Sequence, residues 1–283
     1  MEIKQRGSAL GYKIILFIYR ICGYRFVVFI LNFVALYYVI FTPSIKKLIK
    51  NYYEHQGTDF NNKVYFNHIK MFSLSIFDRF VSRINPNDLS FKTEGLDAME
   101  ELKDGGIVLF SHVGSWASAA HCLKDELQTM HIVMRENIKE DIKKVEKDTK
   151  RDNEENVRII DLNQGAISAN IQIANALINK ELVALMVDRI VDDRQAVEVE
   201  FFKSKVKINK TPFDIAKRLK KPIVAIFVMN KGIKEYNLTL HIIDGKDIEE
   251  MAQNYINVLE IILNKYPNQW YNFYDFFKEG ILK

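Results

Sequence analysis

GGIVLFSHVGSWASAA, residues 105–120, opens on five small or apolar residues, Gly106 to Phe110, and then turns polar at Ser111 and His112. A short continuous apolar run bounded by glycine and polar residues has the character of a buried strand. The loop after it carries Ser111, His112, Gly114, Ser115 and Trp116 before a helix is expected. A histidine at the carboxyl end of a strand stands where open α/β sheets present ligands and catalytic side chains. A hydrogen-bonded structural histidine has the same signature, so position alone does not separate the two readings.

Downstream of this stretch, helix and strand patterns alternate. Strands are expected over residues 131–135, 157–161, 182–187, 223–229 and 236–243, and a hairpin over 197–203 and 206–208. Helices are expected over residues 138–151, 166–179, 212–219 and 248–265. Upstream, residues 43–83 carry one helical apolar face, Pro86 ends it, and residues 91–103 read as a connector with a short helix. The alternation predicts an α/β fold, with a central mixed, largely parallel sheet flanked by helices. One domain over residues 56–283 follows an amino-terminal extension, residues 1–55, of hydrophobic membrane-associating helices.

The extension has the most unusual composition. Residues 10–19 are apolar apart from Lys13, residues 20–25 form a basic break around Gly23, and residues 26–41 are apolar except for Asn32. Sixteen residues at a rise of about 1.5 Å reach roughly 24 Å, short of a hydrocarbon core of about 30 Å. A short span, a pair of helices lying in the interface, and a buried hairpin all fit this pattern. In the interfacial reading Arg20, Arg25, Lys46, Lys47 and Lys50 face headgroups, and Tyr37, Tyr38 and Phe41 lie near the boundary.

The chain has 283 residues and a net charge of +4, too small to imply nucleic acid. Cys22 and Cys122 lie far apart without metal-ligand spacing, so reduced thiols and no bound metal are expected. A phosphate loop, a dinucleotide fingerprint, paired zinc cysteines and a Gly-x-Ser-x-Gly elbow are all missing from the sequence. That leaves His112 at one strand end and Asp188 with Arg189 at another. If both strands are parallel, the three residues share an edge and suit acyl transfer. An imidazole can deprotonate a hydroxyl, a carboxylate can fix its tautomer, and an arginine can hold phosphate. A simple Asp188–Arg189 ion pair is equally compatible with the spacing.

SHVGSWA resembles the first motif of the bacterial lipid A biosynthesis acyltransferases, the lauroyl/myristoyl group of the lysophospholipid acyltransferase superfamily. KQRGSALGYK, LVALMVDR, VEVEFFKSKVKINKTPFDIAKRLKKPIVAIF and YPNQWYNFYDFF resemble further family segments in the same order. The resemblance implies transfer of a fatty acyl group from an acyl carrier protein or coenzyme A thioester to a hydroxyl of a lipid or glycolipid. It assigns His112 as general base and places Gly114, Ser115, Trp116 and Arg189 in the substrate cleft, with Arg135 and Glu136 beside them. It also implies a monomer on the cytoplasmic face of the bacterial inner membrane, peripheral or single-span, with no cofactor beyond the thioester co-substrate. For an acidic carrier protein, Lys143, Lys144, Lys147 and Arg151, or Lys203, Lys205, Lys207 and Lys210, are the basic docking candidates.

One position departs from the family pattern. The acid expected five residues after the histidine is replaced by Ala117. Asp188, or failing that Glu136, is the expected substitute carboxylate. The alternatives are a slow enzyme using His112 alone and a catalytically inactive relative that binds lipid or carrier protein.

Overall fold

The computed structural model describes residues 9–118, 129–135, 156–190 and 193–277. Continuous apolar runs build the centre of its sheet, where Gly106–Phe110 is buried along its whole length. In chain order the helices that lead into it are α1 (Ala9–Cys22), α2 (Tyr24–Phe41), α3 (Pro43–Gln56) and α4 (Asn62–Ile84). Then follow β1 (Ser90–Glu94), α5 (Ala98–Glu101), β2 (Gly106–Phe110), β3 (Met130–Met134), β4 (Val157–Asp161), α6 (Ala166–Ile178) and β5 (Leu182–Met186). The chain continues through β6 (Ala196–Phe201), β7 (Ser204–Asn209), α7 (Thr211–Leu219), β8 (Ile223–Gly232), β9 (Glu235–Ile242) and α8 (Ile248–Lys265).

Seven strands form one sheet in the order β1-β9-β8-β2-β5-β3-β4. β8 pairs with β9 antiparallel, and every other neighbouring pair in this sheet is parallel. The central strands bury both faces, as a sheet covered on two sides must. Ile107, Leu109, Val183, Leu185, Ala225 and Phe227 join a core with α6, α7 and α8 on one side. Val108, Phe110, Ala184, Val224 and Ile226 pack on the other against Tyr24, Val27 and Leu31 of α2 and Leu74, Phe77 and Val81 of α4. The expected α/β class, mostly parallel sheet and apolar amino-terminal helix are all present.

Two expectations need correction. Residues 91–103 are not simply a connector, because Ser90–Glu94 is a strand parallel to β9 at the sheet edge. Its side chains are only alternately half-buried, so it lacks the apolar run that marks an interior strand. The helical stretch 43–83 is two helices. Gly57 closes α3 in the left-handed conformation at φ 79°, and Asn61 starts α4 by accepting the backbone N–H groups of Lys63 and Val64. The hairpin of β6 and β7 turns on Phe202 and Lys203, both at positive φ. The expected helix over 138–151 lies outside the described residues.

α2 is long and apolar enough to cross a membrane, with mean hydropathy 1.9 over its 18 residues. Its sides differ. Tyr24, Val27, Leu31 and Ala35 are buried, whereas Phe26, Phe29, Phe33, Tyr37, Ile40 and Phe41 are exposed. α1 repeats the division, burying Leu16 and Tyr19 while exposing Leu10, Ile14, Phe17 and Ile21.

Candidate active site

β2 and β5 are parallel neighbours in register from Gly106↔Leu182 to Phe110↔Met186, so the residues beyond them emerge at the same sheet edge. This brings His112 and Asp188 together although they are 76 residues apart in sequence. His112 Nδ1 lies 2.9 Å from Asp188 Oδ1, and the His112 backbone N–H donates to Asp188 Oδ2 at 2.9 Å. A carboxylate offers only acceptors, so Nδ1 carries a proton toward it, and in the neutral ring the lone pair belongs to Nε2. The His112 side chain is 23% exposed, whereas that of Asp188 is 1% exposed. The imidazole is therefore partly open to solvent, whereas the carboxylate beside it is sealed.

Burial, the largest single influence on Asp188, pushes its carboxyl up. The charge and hydrogen bond of His112, the Arg189 guanidinium and the His112 backbone N–H together outweigh it. The carboxyl is held below its ordinary range and stays ionised. Trp270 adds its indole N–H to Asp188 Oδ2 at 3.3 Å, and the Tyr274 hydroxyl donates to the Asp188 carbonyl. The Arg189 guanidinium stands 5.6 Å over the Tyr274 ring, and its buried Nε has no hydrogen-bond partner among the described residues.

The loop bearing His112 is clamped by backbone contacts. Val113 donates to Ser111, Gly114 to Gln269, and Ser115 to Val228, each at 2.7 Å, and Tyr271 donates back to His112 at 2.7 Å. Every backbone N–H from His112 to Ser115 is thus taken by a protein acceptor, leaving none of the four to hold a developing oxyanion in this arrangement. Gly114 has φ +59°, and a Cβ there would lie 2.1 Å from the Val228 carbonyl oxygen. Its close backbone approach is to β8. Ser115 is buried with Oγ 3.4 Å from Ser118 Oγ, and beneath the loop Ser111 Oγ is 2.6 Å from the buried Tyr255 hydroxyl.

The other candidates fall in several places. Trp116 is half-buried, with its ring 6.3 Å from that of His112. Arg135 follows β3 at the same edge and is exposed. Ala117 belongs to the tight helical turn Trp116–Ser118. Glu136, Lys143, Lys144, Lys147 and Arg151 lie outside the described residues, so only Asp188 of the two substitute acids is placed. On the β6–β7 hairpin Lys205 pairs with Glu198 at 2.9 Å and Lys207 with Asp193 at 2.7 Å. No group of three or more His, Cys, Asp or Glu residues suited to a metal occurs among the described residues.

Sequence reasoning gave no chemical role to Trp270 or Tyr274. The signal available was the aromatic segment after Pro267, whose backbone runs past the His112 loop through an antiparallel bridge between Val113 and Trp270. A search of curated proteins gave no match. The family model described as bacterial lipid A biosynthesis acyltransferase matches residues 66–279, about three quarters of the chain, including β2, β5 and the aromatic segment after Pro267. The chain belongs to the bacterial lipid A biosynthesis acyltransferase family.

Proposed function

We propose that the protein transfers a fatty acyl group from an acyl carrier protein or coenzyme A thioester to a hydroxyl of a lipid or glycolipid, with His112 as base and Asp188 as its orienting acid. The observation that carries this reading is the 2.9 Å contact between His112 Nδ1 and Asp188 Oδ1. It provides a carboxylate where Ala117 cannot. Nε2 takes the proton of the acceptor hydroxyl as that oxygen attacks the thioester carbonyl carbon. A C–O bond forms, the tetrahedral intermediate collapses, and the C–S bond breaks. The departing thiolate recovers the proton from the imidazolium, so the dyad ends as it began. Asp188 stabilises the imidazolium without itself taking the proton. Arg189, with its unpartnered Nε, is the cation available for a phosphate of donor or acceptor or for the oxyanion.

The exposed apolar sides of α1 and α2 would bring this edge to the cytoplasmic face of a bacterial inner membrane. Between residues 9 and 53 the chain has Lys13, Arg20, Arg25, Lys46, Lys47 and Lys50 and no acidic residue, which suits anionic lipid. Lys203, Lys205, Lys207 and Lys210 are the described docking candidates for an acidic carrier protein.

The test uses purified protein with radiolabelled lauroyl and palmitoyl thioesters, on coenzyme A and on acyl carrier protein, and a total bacterial lipid extract. Wild type is expected to label a lipid product, and His112→Ala to abolish the label. Asp188→Asn is expected to lower kcat by roughly 10⁴, the cost of a mis-set tautomer in comparable triads. Transfer that survives His112→Ala would sink the mechanism. Binding of the acyl donor without transfer in wild type would favour the inactive relative, and free fatty acid released without acceptor would identify a thioesterase.

A further inference from the structure

The two oxygens of Asp188 have different duties. Oδ1 faces the His112 ring, whereas Oδ2 takes the His112 backbone N–H and the Trp270 indole N–H. We propose that Trp270 is a positioning residue, holding the Asp188 carboxylate in the rotation that presents Oδ1 to His112 Nδ1, and that the segment after Pro267 is a brace for the dyad. This rests on the acid–base reading above.

The geometry of the segment supports the assignment. Its backbone is pinned to the histidine loop on both sides of Trp270, by Gly114 N–H to the Gln269 carbonyl and by Tyr271 N–H to the His112 carbonyl. Gln269 closes the other edge, exchanging 2.9 and 2.8 Å hydrogen bonds with the backbone of Asn230 on β8. The Trp270 ring is 2% exposed and packs edge-on against Tyr52, Phe201 and Phe276, with centroids 4.9, 5.5 and 5.0 Å away. A ring so confined aims its N–H in one direction. Tyr274 fixes the backbone of Asp188 through its carbonyl, so side chain and main chain of the acid are both set by one tail segment. An ion sealed from water needs its remaining lone pairs satisfied, and two donors on Oδ2 meet that need while leaving Oδ1 to the ring.

The test is Trp270→Phe, which keeps an aromatic ring in the cage and removes the N–H. A lost hydrogen bond to a charged group is expected to lower kcat about tenfold. It also frees the carboxylate to turn and so changes its coupling to the imidazole, and the acid limb of the kcat/KM profile moves with it. Packing damage alone lowers the rate without moving that limb. In nitrogen-15 spectra of the histidine rings, the His112 Nδ1 proton resonance is expected to shift and exchange faster with solvent, a readout that needs no turnover. If the phenylalanine variant does not fold, 3-benzothienylalanine at position 270 preserves the ring shape without the N–H. An unchanged kcat, pH limb and Nδ1 resonance in a folded variant would overturn the proposal. Transfer surviving His112→Ala would instead remove the acid–base reading, and the Nδ1 resonance would still report whether Trp270 holds Asp188.

Discussion

At the scale of single residues, the site depends on a glycine as much as on its charged groups. The turn after His112 passes so close to β8 that a side chain at position 114 would meet the Val228 carbonyl at 2.1 Å, on a backbone already at φ +59°. Gly114→Ala combines a left-handed alanine with overpacking, a cost of roughly 2–4 kcal/mol. A lower urea midpoint and lower transfer activity are expected together; a variant as stable as wild type yet inactive would place the glycine's role in substrate contact instead. A reader of the sequence can see that Gly114 permits a close approach but not what approaches, because Val228 lies 114 positions away. His112 and Asp188 were legible for a simpler reason, since each stands at the end of a buried apolar run. Their contact was not legible until β2 and β5 were known to be adjacent and parallel. Trp270 and Tyr274 belong to no such run, and their partners are a side-chain oxygen and a carbonyl more than 80 residues upstream.

At the scale of elements, strong periodic patterns translated directly, with α8 and β4 matching their expected bounds. β1 escaped because an edge strand buries only half of one face. α4 carries a feature that periodicity hides, a buried carboxyl. Asp78 is 0% exposed, receives the Tyr236 hydroxyl on Oδ2, and has no hydrogen-bond partner for Oδ1 among the described residues. Burial pushes its pKa from 3.8 to about 7, against the smaller opposing effect of the Tyr236 hydrogen bond and the nearby Tyr24 hydroxyl. A raised folded pKa means that the native state keeps a proton the unfolded chain has already lost. Stability from this group is full below about pH 4 and falls as pH rises toward 7, where both states are ionised. Asp78→Asn does not titrate, so its stability relative to wild type is expected to rise by roughly a few kcal/mol between pH 4 and 7 and then level off. Urea unfolding at pH 5, 6 and 8 measures this, and parallel profiles for the two proteins would contradict it.

At the scale of the whole molecule, the question is what the outer sides of α1 and α2 meet. The sequence showed two apolar runs around a basic break, but not that one side of each is already used by the protein. α2 lies along α4 and buries Val27, Leu31 and Ala35, so its free side is a stripe of Phe26, Phe29, Phe33, Tyr37 and Ile40 rather than the whole cylinder. An apolar stripe backed by a folded domain and accompanied by lysine and arginine is the pattern of a helix bound in the plane of an interface. Phe29 and Phe33 are 55% and 58% exposed, so replacing both with glutamate should leave the melting midpoint near that of wild type. On a membrane the same change removes two aromatic anchors, each worth about 1.5–3 kcal/mol when fully buried, and sets two negative charges against anionic lipid. Co-sedimentation with vesicles of phosphatidylglycerol and phosphatidylethanolamine is therefore expected to fall at least tenfold in Phe29→Glu/Phe33→Glu. Wild-type binding should weaken with added salt without vanishing, because screening reaches the basic residues and not the inserted rings. Equal sedimentation of variant and wild type would show that the exposed stripe does not carry the attachment, and complete release of wild type by salt would reduce the attachment to charge alone.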